Sequence, residues 1–333
     1  MVLPKDVDDI LEEIKSNPLP ELAPGKLSKV CLPDGHICYE IIESKNPNSE
    51  YIMLLHGLGQ SMLSFPPFFY EPMLNAGYNI IRVDHKGGGA SSWMKEWEKG
   101  NKYTLEDMAN DAMAVAKQVE LNKFHLIGMS MGGMISQRMA INHPDKISSF
   151  TSIMSTGFYD DPELKNLPHT FRLKFILALF IYGRKLNTVE QKVKLHLSIN
   201  RQLMGSGDYV YNTKWTLLKA YYECTRRNGY NAKARDQHSY AIKKSGSRLE
   251  ELKQLEIPTL IIHGTSDPLV HLSHGEKCAK IIPNAKKLFL EGMGHHLPKE
   301  YCEEITNVII DHCQQNSNIS TSDNTSPSLI QGE

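Results

Sequence analysis

The chain has no C-x-x-C pair, no H-E-x-x-H segment, no G-x-x-x-x-G-K-[S/T] loop and no internal repeat. Each absence excludes a class. Six cysteines stand far apart, at positions 31, 38, 224, 278, 302 and 313 of 333 residues. They suit neither a zinc ribbon nor a redox dithiol. The longest apolar run, Phe175 to Tyr182, is far short of a bilayer span. Charge of one sign is also missing: 37 Lys+Arg stand against 38 Asp+Glu, which excludes a global polycation for nucleic acid. The opening MVLPKDVDDILEEIK lacks the basic-then-apolar order of a signal peptide, has no Gly at position 2, and the closing LIQGE is no address signal. Free thiols in a reducing compartment follow, and the expected location is cytoplasmic.

What is present is organised around Phe124 to Met134, FHLIGMSMGGM. It reads as a short apolar strand, a sharp turn and the start of a helix. The turn Gly128-Met129-Ser130-Met131-Gly132 has the G-x-S-x-G pattern. A serine hydroxyl becomes a useful nucleophile when a tight strand-to-helix turn holds it out of the sheet, beside a base and free backbone N–H groups. Small flanking residues let the two arms pass closely. The run Met134 to Asn142, stopped by His143-Pro144, supplies the helix.

The rest of the chain alternates. Val7, Ile10, Leu11 and Ile14 predict an amphipathic helix. Leu27–Leu32 and His36–Glu43 predict a hairpin around Pro33-Asp34-Gly35. Strands are expected at Tyr51–Leu55, Asn79–Val83 and Ser148–Met154, and helices at Pro67–Leu74 and Leu105–Val119. From about 160 to 250 the pattern is helical and aromatic-rich. Strands resume at Thr259–His263 and Lys287–Leu290, and a helix follows at Tyr301–His312. Such alternation predicts a mostly parallel, about eight-stranded sheet covered on both faces. The expected core is 1–159 plus 252–314, with a helical cap at 160–251 over the carboxyl edge of the sheet. The Ser/Asn/Thr-rich tail 315–333 is expected to be disordered.

An elbow serine needs a base, an orienting acid and oxyanion donors, with the partners following in the order acid, then histidine. Asp267, in HGTSDP after the Thr259 strand, and His295, in GMGH after the Lys287 strand, meet that order at strand ends. Ser130 is then the nucleophile, His295 the general base and acid, and Asp267 the holder of the imidazole. The oxyanion donors are expected to be the backbone N–H groups of Met131 and of Leu58, in the loop after the Tyr51 strand.

HGLGQS, the D-x-K-G-x-G-x-S loop at Asp84–Ser91, GMSMGG, HGTSDPLV and GMGHHLP occur in this order over residues 51 to 298. Together they resemble the α/β-hydrolase superfamily. HGTSDPLV followed by the PNAKKLFLEGMGHHLP run is similar to the aclacinomycin methylesterase-like branch. The resemblance implies a carboxylic-ester hydrolase with a helical cap, no cofactor and no metal. Lys86 stands where that family usually has Arg, in a loop with a structural role. The elbow serine also argues against the dehalogenase and epoxide hydrolase relatives, which carry Asp there.

Several residues have competing readings. His296 competes with His295, Asp267 has a helix-capping reading, and His56 and His125 read as structural. Asp84 is expected to fix its glycine-rich loop. His271 and His274 have no supporting ligands for a metal. Residues 161–250 carry 17 Lys and Arg against 7 Asp and Glu. Solvated helix faces account for that surplus; an anionic substrate or transient contact with an anionic membrane surface is the functional alternative. Phe171, Phe175, Ile176, Leu179 and Phe180 form an apolar stripe that docks the cap or lines an acyl channel. The reading is a serine esterase acting on a small, partly apolar ester, with thioesterase, monoacylglycerol or lysophospholipid lipase and C–C hydrolase as alternatives. A ligand-sensing protein on the same scaffold is the alternative of another class.

Overall fold

The structure is a computed structural model. It describes residues 3–46, 49–94, 102–165, 186–231 and 233–317, together with 173, 177, 178, 180 and 181. Most of the apolar stripe and the tail beyond 317 therefore lie outside the described residues; Phe180 is exposed.

Eight strands form one sheet: β1 (Lys26–Leu32), β2 (Gly35–Ile42), β3 (Tyr51–Leu55), β4 (Asn79–Val83), β5 (Phe124–Met129), β6 (Ile147–Ile153), β7 (Thr259–Gly264) and β8 (Lys286–Leu290). Their order is β1-β2-β4-β3-β5-β6-β7-β8. The β1–β2 hairpin and the β2–β4 pairing are antiparallel, and every other pairing is parallel. Chain order reverses at β3, which lies between β4 and β5. In open α/β sheets such a switch point opens a crevice at the carboxyl ends of the strands.

Side-chain alternation explains why both faces are covered. Ile52, Leu54, Ile80 and Ile127 share one face with Phe69 and Met73 of α2 (Pro67–Asn75) and Ile305 and Ile309 of the last helix, Lys299–Gln314. Their sequence neighbours Met53, Leu55, Ile81 and Leu126 pack on the other face. There they meet Met108, Ala112 and Val115 of α3 (Leu105–Gln118) and Ile135 and Met139 of α4 (Met131–Asn142). One charged pair is enclosed in the first layer. Arg82 of β4 faces Glu40 of β2 across the sheet register, and both are essentially inaccessible. Its Nε donates to Glu40 Oε2 at 2.7 Å, and its Nη groups reach Leu22 O at 2.8 Å and Phe65 O at 3.1 Å.

Between β6 and β7 the chain inserts α5 (Val189–Asn200), α6 (Thr213–Arg226), α7 (Ala234–Ser245) and the single turn α8 (Leu249–Leu252). The first helix, α1 (Val7–Ser16), rests on this insertion. Its Val7, Leu11 and Ile14 cluster with Val193, Leu197, Leu217 and Ala220. After β7 come α9 (Leu272–Ile281), β8 and α10 (Lys299–Gln314).

Candidate active site

The elbow follows from close packing. Ser130 is held at φ 56°, ψ −121°, a left-handed backbone that costs a non-glycine residue about 1–3 kcal/mol. Hydrogen bonds on both sides fix it: its N–H donates to Ile153 O at 2.9 Å, and its carbonyl accepts from Ser155 Oγ at 2.7 Å. The helix begins at Met131, three residues earlier than the apolar run suggests, so the turn is a single residue. Glycines make the approach feasible. A Cβ on Gly132 would stand 1.9 Å from Leu55 O, and one on Gly128 would stand 2.4 Å from Gly132 O. Gly133 faces the Ser155 side chain, where a Cβ would meet Ser155 Cβ at 2.6 Å.

Ser130, His295 and Asp267 are brought together. Ser130 Oγ lies 2.9 Å from His295 Nε2, and His295 Nδ1 lies 2.6 Å from Asp267 Oδ2. An ionised carboxylate only accepts, so Nδ1 carries the proton and Nε2 faces the serine hydroxyl with its lone pair. The other carboxylate oxygen, Oδ1, accepts from the N–H groups of Leu269 and Val270, both at 2.8 Å. Burial opposes the charge on Asp267, but His295 and His263 outweigh it and hold the carboxyl well below its usual range. Only 5% of Asp267 and 7% of His295 is exposed, so water does not dilute the contact.

The loop after β3, His56 to Gln60, passes directly beside the serine. A Cβ on Gly57 would stand 3.3 Å from Ser130 Cβ and 3.7 Å from Ser130 Oγ. Neither the Leu58 N–H nor the Met131 N–H has an acceptor among the described residues. Met131 opens α4, where the helix dipole favours negative charge.

The competing residues are otherwise engaged. His296 is tilted against the rings of Tyr209 and Tyr211. His56 Nδ1 donates to Gly57 O at 2.9 Å, and His125 meets Ser149 Oγ at 2.8 Å. Asp84 accepts from Met62 N–H at 2.8 Å and Ala90 N–H at 2.9 Å, and is paired with Arg227. Lys86 is buried between Asp34 and Asp111. Among the described residues no three His, Cys, Asp or Glu side chains are grouped to hold a metal.

Two histidines escape sequence reasoning. His263 of β7 donates from Nε2 to Val270 O at 2.8 Å and lies 3.5 Å from Asp267 Oδ2; its i, i+4 spacing from Asp267 is the only hint. His238 of α7 is fully buried. Its Nε2 donates to Lys86 O at 2.8 Å, and its Nδ1 accepts the Gly59 N–H at 3.0 Å. Burial lowers its pKa to about 4, so the ring stays neutral and Nδ1 stays an acceptor. Nothing in the sequence links positions 238 and 59.

A family model described as the alpha/beta hydrolase fold matches residues 50–300. Rhodomycin D methylesterase DauP of Streptomyces sp. (strain C5) is 27% identical over 284 residues, covering 80% of this chain and 92% of that relative. The corresponding DnrP of Streptomyces peucetius is 26% identical over 283 residues, with 80% and 92% covered. Among solved structures, a bromoperoxidase from Bacillus anthracis superposes with a TM-score of 0.68 at 22% identity, over 87% of this chain and 100% of that one. An esterase from Exiguobacterium antarcticum gives a TM-score of 0.67 at 18% identity, over 87% and 99%. At such identities the superpositions speak for the fold alone. The family match spans every strand from β3 to β8 and the loops bearing Ser130, Asp267 and His295, and the chain belongs to the α/β-hydrolase fold family.

Proposed function

We propose that the protein is a serine hydrolase that cleaves a carboxylic ester through an acyl-enzyme intermediate. The observation that carries the reading is the continuous relay Ser130 Oγ, His295, Asp267, with contacts of 2.9 and 2.6 Å. The methylesterase names of the relatives DauP and DnrP support an ester as the substrate.

Ser130 Oγ attacks the ester carbonyl as His295 Nε2 takes its proton, and Asp267 stabilises the imidazolium that forms. The carbonyl oxygen becomes an oxyanion, and the free N–H groups of Leu58 and Met131 are its expected donors. His295 then returns the proton to the leaving alcohol. A water activated by the same imidazole attacks the acyl-enzyme and releases the acid. The helical insertion serves as the cap over this edge. Six unpaired cysteines support action in a reducing compartment such as the cytoplasm.

A fluorophosphonate probe tests the reading, applied to wild type, Ser130→Ala and His295→Ala, with p-nitrophenyl esters of graded length alongside. Labelling that is lost in both variants, together with a chain-length optimum, is expected. An unlabelled, well-folded wild type would remove Ser130 as an active nucleophile and favour a ligand-binding protein on the same scaffold.

A further inference from the structure

Lys219 lies on α6 and is only 8% exposed. An ammonium has three donors, and buried donors are normally satisfied. Lys219 uses one of them, in a long 3.4 Å contact to Gln60 Oε1. It forms no ion pair with a described residue at 4.0 Å or less. Glu223, one turn along the same helix, lies beyond ion-pair distance: its Oε1 accepts from Ser61 Oγ and from Arg227 Nη1 at 2.9 Å, its Oε2 has no hydrogen-bond partner among the described residues, and its charge favours the Lys219 ammonium without contacting it.

The ammonium also stands beside the loop that passes Ser130. Gln60 closes the loop that passes Ser130, and its N–H donates to Gly57 O at 3.4 Å. The base of the Arg235 side chain borders the same loop, its Cβ 4.0 Å from where a Cβ on Gly59 would stand. His196 feels both, its pKa lowered first by burial and then by Lys219 and Arg235. Burial brings Lys219 itself down to about 8, which leaves it mostly protonated at neutral pH.

We propose that Lys219 is an anion-recognition group of the substrate pocket, so that the preferred substrate is an ester that also carries a free carboxylate. This rests on the ester-hydrolase reading of Ser130 and adds the chemical class of the substrate. The carboxylate would occupy the two unused donors of Lys219, across the loop from the scissile carbonyl. A charged hydrogen bond in such a site corresponds to on the order of 10- to 100-fold in affinity.

The experiment compares p-nitrophenyl hemiesters of glutaric and adipic acid with uncharged p-nitrophenyl esters of equal chain length. Wild type, Lys219→Met and Lys219→Gln are used, each checked by melting temperature. Calorimetry of glutarate and adipate binding to Ser130→Ala, with and without Lys219→Met, runs in parallel. The expected wild-type preference for hemiesters in kcat/KM is about 10-fold or more, collapsing in both lysine variants mainly through KM. Dicarboxylate binding should weaken by a similar factor. A preference that survives Lys219→Met, or ester turnover with neither preference nor dicarboxylate binding, overturns this proposal and leaves the esterase reading standing. Lys219-dependent dicarboxylate binding without turnover of any ester would sustain the anion site and sink the hydrolase reading.

Discussion

Replacing Asp267 by asparagine isolates the role of the carboxylate charge with almost no change in shape. The side chain has two sets of neighbours. Oδ1 accepts from Leu269 and Val270 N–H, both at 2.8 Å, and Oδ2 accepts from His295 Nδ1 at 2.6 Å. An amide can satisfy the backbone pair only by placing its oxygen there, which aims its NH₂ at His295. The imidazole must then present a lone pair from Nδ1 and carry its proton on Nε2, facing Ser130 Oγ. In that tautomer it cannot accept the serine proton. The opposite amide orientation sets the NH₂ against two N–H donors and is worse. Loss of the base by tautomer reversal lowers kcat by about 10⁴-fold, or about 5.5 kcal/mol at 1.36 kcal/mol per tenfold. Stopped-flow or long-time ester hydrolysis, with circular dichroism as a fold control, measures it. A folded Asp267→Asn enzyme that loses less than about tenfold would refute the tautomer argument and move the acid role elsewhere.

The stability gap between wild type and Asp267→Asn should depend on pH: the folded carboxyl titrates below its unfolded value of about 3.9, so the gap is full above that pH. It narrows as pH falls toward the folded value, and a denaturation series from pH 6 to pH 3 that finds a constant gap contradicts it. Gly132→Ala should destabilise by about 3 kcal/mol, the upper end of the usual cost of overpacking, because its Cβ would meet the Leu55 backbone at 1.9 Å; an unchanged melting temperature argues against that packing. Arg82→Met should cost about 3–5 kcal/mol, since it strands a buried Glu40 and leaves the Leu22 and Phe65 carbonyls without their donor. A denaturant midpoint close to wild type would show the pair to be dispensable.

Much of the sheet was legible because period-two alternation and turn residues are local. Tyr51–Leu55 and Asn79–Val83 match the expected bounds, and other strand ends move by a residue or two. The start of α4 is not legible because Met131, Gly132 and Gly133 have little apolar periodicity; the strained Ser130 backbone, not a hydrophobic face, sets that boundary. Ser130, His295 and Asp267 could be nominated because each sits in a short pattern at a strand end. Contacts between distant segments carry no such mark. Arg82 with Glu40, His238 with Gly59, and the seat of α1 on α5 and α6 arise only when non-neighbouring elements meet.

The hydrogen bond from Gly59 N–H to His238 bears on how such enzymes can be recombined. The loop that passes the serine is propped from above by a side chain of the insertion, whose other nitrogen grips the Lys86 carbonyl. Transplanting the insertion from a relative therefore also exchanges a support of the loop beside Ser130. A chimera lacking an acceptor at position 238 would leave the Gly59 N–H without its partner and remove one of the contacts that tie this loop to the insertion, so a graft intended to change selectivity should carry an acceptor at that position.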